Sequence, residues 1–202
     1  MKLYQSRQGV NPRRVIIYLA EKGIDVLRIE IDTVAREQKR PAFLALNPAG
    51  KIPVLELDDG RALSESAAIV EYLEELHPEP PMIGTDPVRR AKVRALERIS
   101  ADLIVRSQIW LMHFCSYFAK RVDQKPEVAA AMKPLVVELL NELEAHIGDA
   151  PFLAGEHVTI ADCTLFALFQ ACRAQLGVPI GADQPRLDAW YARFAERRSA
   201  AY

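Results

Sequence analysis

Glu65 and Ser66 are the residues whose types and position point most clearly to ligand chemistry. They stand at the start of an apolar run with helical spacing, which predicts a helix from Ser66 to Leu76. The first N–H groups of a helix have no intrahelical partner, and the helix dipole favours negative charge at this end. We therefore expect this pair to bind the anionic end of a ligand.

A proline at the mouth of a strand adds a second binding feature. Ile52 and Pro53 precede the strand-like run VLEL, and proline removes one hydrogen-bond donor from a strand ladder. The Ile52–Pro53 bond is a candidate cis bond. If it is cis, the backbone N–H and C=O of Ile52 face outward and can pair with an extended peptide. Together the two features predict a site for a short peptide with a carboxylate end.

The elements that must position these residues form an α+β unit at residues 1–78. Asn11 is a good N-cap and Pro12 a good first helical residue. The order β-α-β, connecting helix, β-β-α favours a mixed sheet of about four strands. The pattern predicts strands at 2–6 and 25–31, a helix from 11 to 22, a weak helix or irregular segment at 35–45, a hairpin of 53–57 and 61–63, and a helix at 66–76.

The rest of the chain is predicted to be all-helical. A proline-rich linker at 79–87 separates it from the first unit, and the helical domain is predicted to cover 88–202. Thr159 and Asp162 form a capping box with Asp in place of Glu. Long helices are predicted from 87 to about 119 and from 126 to 147, followed by one from Thr159 and a last one after Gln184–Pro185.

Composition excludes several classes of partner. A net charge of −1 gives no field that would attract nucleic acid or anionic lipid. We find no signal-peptide pattern and no apolar run of membrane-spanning length, so we predict a cytoplasmic protein. Cys115, Cys163 and Cys172 lie in apolar helical surroundings without paired spacing. They are predicted to be reduced core thiols, with no metal site.

The first unit resembles the thioredoxin fold. Thiol oxidoreductases of that fold place a Cys-x-x-Cys where the first helix begins, but the corresponding loop here, RQGVNP at 7–12, contains no sulfur. The chain therefore cannot perform dithiol chemistry with its own first-helix thiols. Any sulfur handled there must come with the ligand.

Over its whole length the chain resembles the cytosolic glutathione transferase family, particularly its bacterial members. Four segments carry the resemblance: NPRRVIIYLAEKGI at 11–24, NPAGKIPVLELDDG at 47–60, SESAAIVEYLEEL at 64–76 and TIADCTLF at 159–166. The resemblance implies a glutathione site in the first domain, an electrophile pocket between domains, and a homodimer. It implies glutathione as co-substrate and no other cofactor.

The resemblance also implies roles for particular residues of the glutathione site. Ile52, beside Pro53, pairs through its backbone with the cysteinyl part of glutathione. Glu65 takes the α-ammonium and Ser66 the α-carboxylate of the γ-glutamyl end. The glycyl carboxylate is implied to lie near Gln38 and Lys51, although Gln38 stands where many relatives have His. Lys51 could equally be a solvated loop lysine.

The first loop departs from the family pattern. Relatives commonly carry Ser, Tyr or Cys there to stabilise the glutathione thiolate, but Gly9 stands where the hydroxyl is expected and is followed by Val10 instead of proline. Asn11 can donate a hydrogen bond to a thiolate, or its side chain can be used only as a helix cap. Ser6 is the other candidate donor, and a backbone N–H is a third.

Four residues at helical spacing on the long helix are the candidate electrophile wall: Arg106, Trp110, His113 and Tyr117, with Phe114 beside them. Facing a cleft, they would suit a flat, apolar electrophile with some negative charge. The alternative is that they pack between helices. Arg13 and Arg14, on the first helix, are predicted to form surface or interdomain ion pairs.

The predicted function is glutathione transfer to a small hydrophobic electrophile. A glutathione-dependent disulfide or peroxide reductase is the second hypothesis. A thiolate attacks sulfur or oxygen with less activation by the first loop than aromatic substitution requires. A glutathione- or ligand-binding protein with little turnover is the third.

Overall fold

The computed structural model describes residues 1–201, which form two compact units. The first unit comprises residues 1–82 together with residues 197–201, and the second runs from Ile83 to Glu196. The boundary falls within the proline-rich segment that the sequence marks as a linker. Among residues 1–201, no helix is both long and apolar enough to cross a lipid bilayer.

The first unit is built on a mixed four-stranded sheet, as predicted. Its strands lie in the order β2-β1-β3-β4; β1 pairs with β2 in parallel and with β3 in antiparallel fashion, and β3 pairs with β4 in antiparallel fashion. The elements are β1 (Lys2–Gln5), α1 (Val10–Lys22), β2 (Leu27–Glu30), α2 (Pro41–Leu46), β3 (Val54–Glu56), β4 (Ala62–Ser64) and α3 (Ser66–Leu76).

Helix α1 is buried over nearly its whole length. Every residue from Pro12 to Leu19 is buried, two arginines included. A helix without a polar face must be surrounded by other elements, because water cannot cover it favourably. Among the neighbours of α1 are α3 and the 3-10 turn at Arg198–Ala200.

The second unit is all-helical, as predicted. It contains α4 (Pro87–Phe114), α5 (Pro126–Ile147), α6 (Ile160–Gln170) and α7 (Pro185–Ala195). Helix α4 ends earlier than the predicted residue 119, because a separate 3-10 turn follows at Ser116–Phe118. The backbone N–H groups at the end of the segment are thus bonded as turns rather than as a continued helix.

The capping box at the start of α6 is confirmed. The carboxylate of Asp162 accepts hydrogen bonds from the backbone N–H and hydroxyl of Thr159, the N–H of Leu153 and the indole N–H of Trp190, each at 2.9 Å. Burial raises the pKa of Asp162, and these four donors oppose that shift. Asp162 therefore joins α6, α7 and the preceding loop.

The start of the predicted linker is bonded to the first unit. The ammonium of Lys22 lies 2.7 Å from the carbonyl oxygen of His77 and 2.5 Å from that of Pro80. The backbone N–H of Met82 donates to Glu74 at 2.8 Å. Residues 197–201, predicted as part of the helical domain, belong instead to the first unit.

Candidate functional site

The Ile52–Pro53 peptide bond is cis, as the sequence suggested. It follows a turn held by the buried side chain of Asn47, whose amide nitrogen donates to the carbonyl oxygen of Lys51 at 2.8 Å. Val54 then begins β3 and pairs with Tyr4 and Ser64. Within residues 1–201, no group bonds to the backbone N–H or C=O of Ile52. One donor and one acceptor beside the sheet are thus available to an extended ligand.

Glu65 adopts an unusual backbone conformation at the start of α3. Its φ of 68° lies in the region that favours glycine, and a non-glycine residue held there costs on the order of 1–3 kcal/mol. Ser66 is the first residue of α3 and is buried, whereas the side chain of Glu65 is exposed. This turn leaves the carboxylate of Glu65 accessible next to the first N–H groups of the helix.

Arg14 lies directly behind this helix start. Its Nε donates to the hydroxyl oxygen of Ser66 at 2.7 Å, and both side chains are buried. A cation beside a helix N-terminus strengthens the site's attraction for an anion. Sequence reasoning missed this contact, since Arg14 was predicted to form surface or interdomain ion pairs.

Gln38 and Lys51 lie on segments that the structure brings together. A Cβ added at Gly50, whose φ is 57°, would lie 2.8 Å from the carbonyl oxygen of Gln38 and 2.8 Å from Nζ of Lys39. The turn before Lys51 therefore packs against the turn that carries Gln38, and only glycine permits this approach. The amide oxygen of Gln38 is buried without a hydrogen-bond partner in the described chain, whereas Lys51 is exposed.

The loop between β1 and α1 corrects the predicted role of Asn11 as N-cap. The N-cap is Gly9, and α1 begins at Val10, so Asn11 lies inside the first helical turn. Its side chain is exposed and has no hydrogen-bond partner within residues 1–201. Capping therefore does not occupy the Asn11 amide. Ser6 is buried at the end of β1, and its carbonyl oxygen accepts the N–H of Gly9 at 3.1 Å.

The loop geometry explains why position 9 is a glycine. A Cβ at this position would lie 2.9 Å from Cδ and 3.0 Å from Cγ of Pro12, and the proline ring has little freedom to move. The φ of Gly9, −88°, is ordinary, so the constraint is steric.

We expect Gly9→Ser to destabilise the protein by about 1–2 kcal/mol, because overpacking costs more than the few tenths that a serine N-cap gains over glycine. Urea unfolding measures the effect. Gly9→Ala should cost a similar amount, since the clash lies at Cβ, and adding Pro12→Ala to either variant should recover part of the loss. Wild-type stability of Gly9→Ser would contradict this account.

The chain's own cysteines are unsuited to nucleophilic chemistry. All three are free and buried, and burial, together with the nearby Cys115, raises the pKa of the Cys172 thiol to about 12. Within residues 1–201, no group of three metal-ligating side chains comes together.

An aromatic cluster occupies the end of α4 and the turn that follows. Trp110 and Phe114 stack with ring centroids 5.2 Å apart, and Tyr117 meets Phe118 edge-on at 5.0 Å. Phe114 is 57% exposed and Tyr117 46% exposed. Phe114 and Tyr117 are therefore not packed core, whereas Trp110 is half-buried. We call these four residues the aromatic platform.

Arg106 and His113 flank the aromatic platform on α4. Arg106 makes no ion pair or hydrogen bond with the described part of the chain. The ring of His113 accepts the backbone N–H of Lys125 at Nδ1, at 3.2 Å, which ties the end of α4 to the start of α5. His113 thus holds the segment between α4 and α5, which includes the turn that carries Tyr117 and Phe118. This bond requires an unprotonated Nδ1.

Arg13 also departs from prediction. It is buried rather than at the surface, and its Nη2 donates to the carbonyl oxygens of Ser199, Ala200 and Ala201 at 3.2, 2.8 and 2.9 Å. A sequence signal for both arginines exists: they stand in PRRVIIYL, a helical run with no other polar side chain except Tyr18. Arginines in a helix that is apolar on every side must find buried partners.

The fold and the site define a class. It is a two-domain protein whose thioredoxin-like unit lacks a dithiol at its first helix and offers an unpaired backbone segment at Ile52 and an uncapped helix start at Ser66. A helical unit follows. The comparisons with known proteins narrow this class to one family.

Two family models match most of the chain. Residues 3–81 match the glutathione S-transferase N-terminal domain and residues 104–198 the glutathione S-transferase C-terminal domain. The chain is 31% identical to glutathione S-transferase 2 of Saccharomyces cerevisiae, with 98% of this chain and 87% of that protein aligned. It is 32% identical to maleylacetoacetate isomerase of Pseudomonas aeruginosa, over 94% of this chain and 86% of that protein.

Solved structures of glutathione S-transferases have the same fold as this chain. A glutathione S-transferase domain-containing protein of Marinobacter aquaeolei superposes with a TM-score of 0.83 at 29% identity, covering 100% of both chains. A glutathione S-transferase of Methylobacillus flagellatus, solved with GSH bound, superposes with a TM-score of 0.85 at 25% identity, covering 98% of this chain and 96% of that one. The chain belongs to the cytosolic glutathione transferase family and is a glutathione transferase.

Proposed function

We propose that this transferase binds glutathione as a short added strand along Ile52. The unbonded N–H and C=O of Ile52 carry this proposal, because the adjoining strand β3 is paired on both sides while Ile52 is not. An extended peptide offers the matching acceptor and donor at one residue. The cysteinyl part of glutathione is the segment placed there.

The ends of glutathione extend from this segment to two anion sites. Glu65 takes the α-ammonium of the γ-glutamyl end, and Ser66 with the first N–H groups of α3 takes its α-carboxylate. The guanidinium of Arg14, 2.7 Å from the hydroxyl of Ser66, supports the negative charge. Gln38 and Lys51 take the glycyl carboxylate on the opposite side.

Asn11 stabilises the thiolate in this proposal. A free thiol has a pKa of about 8.5, and hydrogen-bond donors together with a helix N-terminus lower it. The amide of Asn11 supports this role because Gly9, and not Asn11, caps α1. The thiol proton passes to solvent, and the thiolate sulfur bonds to the electrophilic atom. The displaced electron pair leaves with the leaving group or enters an opened double bond and takes up a proton.

The second substrate is a flat, apolar electrophile that carries negative charge. The stack of Trp110 and Phe114, in which Phe114 is exposed and Trp110 half-buried, supports an aromatic or conjugated body. Arg106, four residues before Trp110 on the same helix face, supplies a cation that no carboxylate within residues 1–201 neutralises. Tyr117 is part of the aromatic platform, and His113 serves as its support. Glutathione is the co-substrate, and the reaction needs no other cofactor.

A second candidate function is glutathione-dependent isomerisation of an anionic alkene. There the thiolate adds to the double bond and leaves again after rotation about the resulting single bond, so glutathione is regenerated. The free cation at Arg106 favours an anionic substrate, and the Pseudomonas aeruginosa relative is named maleylacetoacetate isomerase. For either reaction we propose a cytoplasmic homodimer.

The thiol pKa tests the proposal. Glutathione is titrated against the protein, and thiolate absorbance in the ultraviolet is followed against pH. We expect a lowered pKa in the wild type and expect Asn11→Ala to raise it by about one pH unit, a loss of about 1.4 kcal/mol of thiolate stabilisation. Ser6→Ala should leave it close to wild type.

Asn11→Asp serves as the matched variant, because it keeps the size of the side chain and replaces the amide donor with a negative charge. It should raise the pKa of the bound thiol more than Asn11→Ala does. An unchanged pKa in both variants would overturn the assignment of Asn11. The absence of any lowered pKa in the wild type would overturn the proposed mechanism, and activity only toward disulfides or peroxides would favour the reductase hypothesis.

A further inference from the structure

Residues 197–201, which we call the return segment, run along helix α1. After α7 the chain comes back to the first unit and forms a 3-10 turn at Arg198–Ala200. The three carbonyl oxygens that follow Arg198 converge on one guanidinium nitrogen of Arg13. Arg13 is only 3% exposed, so these bonds form away from water.

A second attachment joins the other end of α1. The guanidinium of Arg197 forms two parallel hydrogen bonds with the carboxylate of Glu21, each at 2.7 Å, and the hydroxyl of Ser199 donates to the same carboxylate. Burial alone would raise the pKa of Glu21, but the bonds from Arg197 and Ser199 outweigh it and lower the pKa. The Glu21 carboxylate is therefore charged at neutral pH, and both of its oxygens accept hydrogen bonds from the return segment.

The two attachments hold α1 along most of its length. Arg13 and Glu21 are eight residues apart, which is about 12 Å at the helical rise of 1.5 Å per residue. A contact at one point would let a helix slide or rotate, whereas contacts near both ends prevent both movements. The bidentate arginine pair adds a directional constraint.

The same helix carries parts of the glutathione site at its beginning. Asn11 precedes Arg13 by two residues, and Arg14 follows it directly and bonds the hydroxyl of Ser66. Moving the first turn of α1 would displace the Asn11 amide and the Arg14 guanidinium together. A displacement of about 1 Å in a reacting group can cost about 100-fold in rate.

We propose that Arg13 is a positioning residue for glutathione: the return segment, held by Arg13 and Glu21, fixes the first turn of α1 against the thiol and γ-glutamyl sites. The proposal rests on the proposed function. It makes glutathione binding by the first unit depend on residues that the chain reaches only after the whole helical unit.

A purely structural role for Arg13 makes a different prediction. Buried arginines bonded to carbonyl oxygens stabilise folds, and their removal lowers the unfolding midpoint. Such a loss leaves the KM for glutathione and the pKa of the bound thiol unchanged in the folded protein. A positioning role changes both, and leaves the KM for the electrophile as it was.

The experiment compares Arg13→Ala, Arg13→Lys and Arg197→Ala with the wild type, at a temperature where each is folded by circular dichroism. Arg28→Ala is the matched control, because Arg28 is exposed in the same unit. We expect Arg13→Ala to raise the KM for glutathione about tenfold and to raise the pKa of the bound thiol. Arg197→Ala should change both in the same direction by less, and Arg28→Ala should change neither.

Arg13→Lys keeps the charge but not the planar fork, and should fall between Arg13→Ala and the wild type. If Arg13→Ala does not fold, Arg197→Ala and Arg13→Lys decide the question. A lower unfolding midpoint with wild-type KM and thiol pKa in these variants would overturn the proposal. A wild type that binds glutathione without lowering its thiol pKa would instead count against the proposed mechanism, and the glutathione KM would still test Arg13.

Discussion

Replacing Asp162 with alanine is expected to remove about 4 kcal/mol from the free energy of unfolding of the helical unit. The change leaves four hydrogen-bond donors in a buried place without an acceptor, and each such group costs about 1–3 kcal/mol, less where the structure relaxes. The indole of Trp190, fully buried, cannot turn to water. Urea unfolding followed by tryptophan fluorescence measures the loss, since both tryptophans lie in this unit.

Two further variants locate the cause. Asp162→Asn keeps the shape and one acceptor oxygen, so its loss should be smaller than that of Asp162→Ala. Asp149→Ala removes a carboxylate that is 99% exposed in the same unit and should change the midpoint little. A loss of less than about 1 kcal/mol for Asp162→Ala would show that the network contributes far less than its burial implies.

Replacing Arg14 with alanine is expected to raise the KM for glutathione about 50-fold. We take the lost attraction between this cation and the carboxylate that Ser66 binds to be about as large as one charge-assisted hydrogen bond, about 1.5–3 kcal/mol, which corresponds to roughly 10- to 150-fold in binding. The change also leaves the buried hydroxyl of Ser66 without its charged donor. Initial rates at varied glutathione and fixed electrophile measure the effect, and isothermal titration with glutathione checks that it lies in binding.

Arg14→Lys and Arg61→Ala are the comparisons for this prediction. Lysine keeps the charge but cannot reproduce the position of Nε, so its KM should lie between those of the wild type and Arg14→Ala. Arg61 pairs with Asp59 at the surface of the same unit, with its side chain 77% exposed, and its removal should leave the KM unchanged. An unchanged KM in Arg14→Ala would mean that Ser66 and the helix N-terminus bind the carboxylate without help from this cation.

Most elements were predictable because their signals are local. The hairpin around Gly60, the helix from Ser66 to Leu76, the helix from Pro126 to Ile147 and the capping box at Thr159 depend on residues within a few positions of one another. The first three strands were predicted one, three and two residues too long, and the fourth was predicted one residue too early. Pairing at strand ends depends on the neighbouring strand rather than on the strand's own pattern.

The first loop shows where local signals mislead. Asn11–Pro12 has the composition of a helix start, yet α1 begins at Val10 with Gly9 as its N-cap. The packing of Pro12 over Gly9 decides this start, and it requires the absence of a side chain two residues before the predicted cap. The correction also leaves the Asn11 amide available for the ligand.

The sequence by itself determined the family, the order of elements and the segments that we propose surround glutathione, because the signal for each lies in contiguous residues. Only the tertiary structure decided what Arg13 and Arg14 do. Arg14 bonds a residue 52 positions away and Arg13 one 187 positions away, and no local pattern encodes such a partner. A buried charge takes whatever acceptors the folded chain brings to it, so its role appears only when the distant segments have packed.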